Sequence, residues 1–155
     1  MKINFIVIGK SNKYIKEGIL EYTKRLRKYI NFEIIEIPAL KNSKNLSEKE
    51  QKKKEAILFE KYLKNCNNNI LLDENGKQYS STNFAKLIKN KTVSGQKCVN
   101  FIVGGPYGFS DELLARNYEK MALSKMTFSH QMVRLFFVEQ IYRAMTIIKG
   151  EPYHH

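Results

Sequence analysis

Apolar residues come along this chain in short runs separated by amphipathic or charged stretches, and that alternation sets the order of elements. Ile3, Phe5, Ile6, Val7 and Ile8 form the first run, predicting a strand from about Lys2 to Gly9. Ile15, Ile19, Tyr22 and Leu26 recur at helical spacing and predict a helix over about Asn12 to Lys28. Phe32 to Ile37 reads as a second strand, stopped by Pro38, which cannot donate to a ladder. After a polar, basic loop, Ser47 with Glu50 has the capping-box pattern and opens a charged helix to about Asn65. Ile70 to Asp73 is a third strand with a turn at Asn75-Gly76, followed by a helix from about Ser81 to Asn90. Cys98 to Val103 is almost unbroken in apolarity, the pattern of a strand covered on both faces. A helix from about Asp111 to Lys120, an extended or looping segment from Met121 to His130, and a helix from Gln131 to Lys149 complete the order. Alternation of this kind predicts an α/β fold, a mostly parallel sheet flanked by helices. With no internal repeat and no linker, residues 1–155 read as a single domain.

The fourth strand runs directly into Gly104-Gly105-Pro106-Tyr107-Gly108. Glycines just past the carboxyl end of a strand let backbone come close to a ligand, and ligands of open α/β sheets sit at that edge. Ser110 is placed to cap the next helix, with Asp111 and Glu112 suited to its positive end. The glycine spacing and its place in the second half of the chain differ from a dinucleotide fingerprint, and there is no Gly-Lys-Ser/Thr phosphate loop. The last helix carries a wide apolar stripe through Val133, Phe136, Phe137, Ile141, Ala144 and Ile148. So broad a stripe is buried either by the core or by a twin subunit, and a homodimer is the expectation. His130 and Arg134 are four apart, as are Glu139 and Arg143, so each pair can share a helix face. For Glu139 and Arg143, a structural ion pair and a functional pair are both open readings.

Charge narrows the partner. Lys and Arg number 27 against 15 Asp and Glu, a formal charge of +12, which favours a polyanion such as nucleic acid. A biased coding composition rich in Lys and Asn is the other source of that excess. The opening apolar run is too short for a signal peptide, and no stretch nears the roughly 20 apolar residues of a membrane span, so a cytoplasmic protein is expected. Cys66 and Cys98 lack a Cys-x-x-Cys partner or a histidine at zinc spacing; they read as buried or idle thiols, with no metal site. After Gly150 and Pro152 the chain ends in Tyr153-His154-His155. Chain ends are usually silent, but an aromatic ring and imidazoles permit base stacking and proton handling.

Five motifs in order resemble one family. They are Leu72 to Ser81 (LDENGKQYSS), Ile102 to Phe109 (IVGGPYGF), Leu123 to Arg134 (LSKMTFSHQMVR), Glu139 to Ala144 (EQIYRA) and the terminal Pro152-Tyr153-His154. Together with the opening Lys2 to Lys10 they are similar to the RlmH type of ribosomal RNA methyltransferase, in the SPOUT class of knotted enzymes. Two positions depart from the family pattern: Ser129 stands where proline is usual, and His155 where a basic residue is usual.

The resemblance implies a parallel sheet whose C-terminal part threads a trefoil knot, a topology that general connection rules disfavour. It implies a homodimer that binds S-adenosylmethionine in the knot, without a metal. The implied substrate is N3 of a pseudouridine in a stem-loop of large-subunit (23S) rRNA, in the assembled ribosome. Carried over by position, the cofactor-binding residues are Leu72, Gly104, Gly105, Leu123, Ser124, Lys125, Met126, Thr127 and Phe128. Methyl transfer to N3 requires loss of the imide proton, a role open to His154 or Tyr153 if the tail folds over the substrate. Arg134 and Arg143 are candidates for holding phosphate or stabilising charge on the base. His130 is a candidate RNA contact or a satisfied structural histidine. A noncatalytic ribosome-binding factor that uses the basic surface alone is the alternative of a different class.

Overall fold

The computed structural model describes residues 1–155. Strands β1 (Lys2–Ile8), β2 (Asn31–Ile37), β3 (Asn69–Gln78), β4 (Cys98–Val103) and β5 (Glu119–Ala122) form one sheet in the order β2-β1-β4-β3-β5. Every pairing is parallel. Helices α1 (Lys13–Leu26), α2 (Glu48–Lys64), α3 (Ser81–Val93), α4 (Asp111–Leu114) and α5 (His130–Lys149) connect and cover it. The α/β expectation is borne out.

Strand alternation explains why both faces carry helices. On β1, Ile3, Phe5 and Val7 join the core under α1, α3 and α5, while Ile6 and Ile8 point to the smaller core under α2 and α4. β4 divides the same way, with Val99, Phe101 and Val103 on one side and Ile102 on the other. A strand buried on both faces must be apolar at successive positions, which is why β1 and β4 are so readable. α1 and α5 pack close at Gly18, where a Cβ would lie 2.8 Å from Leu135 Cδ1. No helix is long and apolar enough to cross a membrane.

Three local expectations are corrected. The helix beginning at Asp111 ends at Leu114, and Glu119–Ala122 is a strand rather than helix and loop. With only Met121 and Ala122 buried, β5 is too short to show a period, and its extended form comes from pairing along β3. Asn75-Gly76 lies inside β3 rather than ending it, in an irregular stretch between Leu72 and Lys77, both of which pair with Met121. Cys66 and Cys98 are joined as a disulfide, not idle, with Cα atoms 6.0 Å apart. Their closeness follows from a polar ladder at the amino ends of the strands. Asn100 Nδ2 donates to Asn69 Oδ1 at 2.8 Å and to the Tyr62 carbonyl at 3.0 Å. Asn69 Nδ2 in turn donates to the Leu63 and Cys66 carbonyls at 3.1 and 2.7 Å. These bonds hold the end of α2 on the sheet and set Cys66 beside the entry to β4.

Candidate active site

At the carboxyl end of β4 the backbone folds into a tight cradle. Gly108 N–H donates to Gly105 O at 3.0 Å, closing a turn with Pro106 at its second position and Gly108 at φ 77°. A Cβ on Gly104 would stand 2.7 Å from the Gly108 carbonyl carbon, so the two backbone strands of the cradle touch only because residue 104 has no side chain. Ser110 Oγ then accepts from Leu113 N–H at 3.3 Å and starts α4, as its position in the sequence suggested.

The cradle is one wall of a cleft of about 630 Å³ at the carboxyl ends of β4 and β5, beside Leu72 to Glu74 in the middle of β3. Leu72, Gly104 and Gly105 line one side; Leu123, Ser124, Met126, Thr127 and Phe128 line the other. Of the residues the sequence assigned to cofactor binding, only Lys125 is not at the wall; it is exposed. Two hydrogen bonds shape the facing segment. Met126 N–H donates to Ser124 Oγ at 2.9 Å, and Thr127 Oγ1 donates to Glu74 Oε2 at 2.5 Å, tying the segment back to β3. Glu74 and Asp73 also line the cleft, and sequence reading had passed over both. Their only signal was their place just after the apolar half of β3. Ser129, the departure from the family's proline, caps α5 by accepting from Met132 N–H at 3.3 Å. A proline would supply no such acceptor.

Of the candidate chemical residues, His130 alone lines the cleft. Burial, and then the neighbouring Arg134 charge, push its imidazole below the ordinary range, so it is neutral at pH 7. Arg134 itself is 1% exposed. Its Nη1 donates to Gly9 O at 2.9 Å and Ser11 Oγ at 3.1 Å, and its Nη2 to Ile8 O at 2.6 Å. Ser11 Oγ passes the contact on, donating to Glu36 Oε1 at 2.8 Å. The guanidinium thus clamps the end of β1 to α5 and presents nothing to phosphate. Arg134→Met is expected to lower folding stability by about 2 kcal/mol, because the Ile8 and Gly9 carbonyls lose their donors. Urea denaturation checks this, and an unchanged midpoint would contradict it.

Arg143 and Glu139 do pair, with Nε and Nη2 donating to Glu139 Oε1 at 3.0 and 2.7 Å. The same oxygen accepts the Tyr153 hydroxyl at 3.0 Å. Tyr153 also meets Tyr22 hydroxyl to hydroxyl at 3.4 Å, stacks edge-on against Tyr142 at 4.8 Å, and lies under the Arg143 guanidinium at 4.7 Å. Burial first, then the bonds to Tyr22 and Glu139, raise its pKa well above the ordinary phenol value. Tyr153 is therefore a protonated anchor in this arrangement. His154 follows it, exposed, and none of Arg143, Tyr153 or His154 lines the cleft of its own chain.

The family model described as "Predicted SPOUT methyltransferase" matches residues 1–154. The chain belongs to the SPOUT methyltransferase family. Curated relatives named "Ribosomal RNA large subunit methyltransferase H" include those of Flavobacterium johnsoniae and Parabacteroides distasonis. These are 52% and 53% identical over 156 residues, covering 100% of this SPOUT chain and 99% of theirs. The relative from Bacteroides fragilis is 47% identical with the same coverage. Among solved structures, one described as a probable methylase family protein from Haemophilus influenzae matches at TM-score 0.51 and 11% identity, covering 96% of this chain and 66% of that one. A structure described as a hypothetical protein matches at TM-score 0.51 and 14% identity, covering 94% of this chain and 68% of that one. That likeness is one of fold.

SPOUT membership implies S-adenosylmethionine as methyl donor, and the cleft suits it. Apolar side chains at Leu72, Leu123, Met126 and Phe128 offer surfaces for a purine ring, and the unsubstituted Gly104 and Gly105 bring backbone polar groups to the wall.

Proposed function

We propose that this protein is the methyltransferase that modifies N3 of a pseudouridine in a stem-loop of large-subunit rRNA, acting on the assembled ribosome as a homodimer. The observation that carries the reading is the glycine-walled cleft at the strand ends, in a chain that aligns end to end with relatives named for large-subunit rRNA methylation. The formal charge of +12 supports a polyanionic substrate. Membership of the SPOUT family supports the threaded topology.

Bound in the cleft, S-adenosylmethionine supplies an electrophilic methyl group on its sulfonium sulfur. The chain's own residues then have three tasks. Leu72, Gly104, Gly105 and the 123–128 segment hold the donor so that N3 can approach in line with the carbon–sulfur bond, and positioning contributes much of the rate. His154 accepts the N3 proton as the nitrogen forms its new bond. Glu139 and Arg143 hold Tyr153, and Tyr153 holds the tail. The tail sits on the α1–α5 seam of its own chain, away from that chain's cleft, so we assign His154 to the cleft of a twin subunit. Phe136, 40% exposed on α5 and stacked on Phe128 at 5.0 Å, marks the apolar surface on which the twin would seat.

Mass spectrometry of rRNA tests this, after incubating the protein and S-adenosylmethionine with ribosomes from cells that lack it. One added methyl on a stem-loop pseudouridine is expected. Binding to ribosomes with no added methyl would favour a noncatalytic binding factor. Light scattering is expected to return twice the 18.2 kDa chain mass, and a monomer at working concentration would reject the shared site.

A further inference from the structure

The first turns of α2 are lysine-rich, yet Glu55 turns inward from that helix and is 3% exposed. Its Oε1 accepts from Gln51 Nε2 at 2.9 Å. Its Oε2 is closed to solvent, and no donor of the protein reaches it. Glu55 takes part in none of the chain's ion pairs, although Lys52, one turn away, lines the cleft. Burial pushes the carboxyl above its ordinary range, with the Gln51 bond opposing. A buried carboxylate with an unshared oxygen is unfavourable in the free protein, so something that completes it is the natural explanation for its place.

That place is specific. A Cβ built on Gly105 would lie 2.3 Å from Glu55 Oε2 and 2.7 Å from its Cδ. The carboxyl therefore packs against the unsubstituted α-carbon of Gly105, a residue of the cleft wall, and any side chain at residue 105 would displace it. The other carboxylates at the cleft are already engaged. Glu74 is exposed and takes the Thr127 hydroxyl, and Asp73 accepts the Asn75 N–H at 2.9 Å. Solvent and salt screen an exposed charge, whereas a buried one acts at low dielectric over several ångströms.

We propose that Glu55 is a specificity residue whose carboxylate, acting through the bare face of Gly105, favours the sulfonium-bearing methyl donor over the uncharged thioether product. The inference rests on the cleft being the S-adenosylmethionine site. When the methyl group passes to nitrogen, the electrons of the carbon–sulfur bond stay on sulfur and its positive charge disappears. The attraction that helped to hold the donor then no longer holds the product, which eases exchange of one for the other.

Calorimetry on full-length protein and on Glu55→Gln, with S-adenosylmethionine and S-adenosylhomocysteine as separate probes, tests the idea alongside thermal melts of both free proteins. The variant is expected to bind S-adenosylmethionine about tenfold more weakly and S-adenosylhomocysteine within about twofold of the original, the signature of one lost charge–charge attraction. Its free form is expected to melt no lower than the original, because an amide is easier to bury than an unpaired carboxylate. Equal losses for the two probes, or a variant that melts lower or does not fold, would reduce Glu55 to a packing role and overturn the proposal. An original protein that binds neither probe would bring down the cofactor reading itself, and this inference with it.

Discussion

Deleting Tyr153, His154 and His155 is expected to slow methylation of the ribosome by at least about a hundredfold, the lower end of what a positioned proton acceptor contributes. S-adenosylmethionine binding is expected to survive, because every residue of the cleft wall lies between Lys52 and Val133 and none belongs to the tail. On the proposed mechanism the tail divides into an anchor and a reagent. Tyr153 is the anchor, bonded to Glu139 and packed between Tyr142 and Arg143. His154 is exposed and carries the group able to take a proton. Single substitutions separate the two. His154→Ala is expected to reproduce most of the rate loss with an unchanged melt. Tyr153→Phe keeps the ring and loses the hydroxyl's contacts with Glu139 and Tyr22, for a loss of about tenfold. Single-turnover methyl transfer with labelled donor reads all three. Full turnover by the truncated protein would remove the tail from the chemistry.

Gly76→Ala is expected to destabilise the fold by about 3 kcal/mol or more, at the upper end of what overpacking costs. The added Cβ would lie 2.5 Å from Met121 N, 2.6 Å from Lys120 C and 2.7 Å from Met121 C. All three atoms are backbone of β5, so no side chain can swing aside and the strand itself must shift. Movement of β5 also moves Met121 and Leu123 in the cleft wall, so the variant is expected to lose cofactor affinity along with stability. Gly95→Ala is the control. Gly95 has open space around it and φ 74°, so an alanine there meets only the left-handed backbone penalty of about 1 kcal/mol. Urea denaturation of both variants checks the ranking. Equal costs at the two sites would mean that β5 does not press on Gly76.

Much of the site's frame was legible in the residues because it is local. The Ser47–Glu50 capping box forms as its spacing implies, with Ser47 N–H donating to Glu50 Oε2 at 2.9 Å. The Ser110 cap and the Gly104–Gly108 cradle likewise need only neighbours within a few positions. β5 was not legible, since four residues with two buried side chains show no period, and their extended form depends on a partner about fifty positions earlier.

Charged residues were the hardest to place. Arg134, Arg143 and Glu55 look alike in a sequence, as polar positions on helices. Arg134 is a buried clamp on carbonyls more than a hundred residues away, Arg143 holds the tail anchor, and Glu55 backs a cleft it does not line. The disulfide belongs with them, because 32 residues of separation say nothing about distance in space.

The amino-acid sequence by itself determined the α/β order, the helix caps and the glycine turn, and its motifs pointed to the family, because these depend on period, spacing and residue identity along the chain. Only the tertiary structure decided which charges are spent on structure, which glycines are indispensable and where the tail lies relative to the cleft. Those outcomes rest on hydrogen bonds and close backbone approaches between distant segments, and the burial that sets their energies exists only once the sheet has assembled.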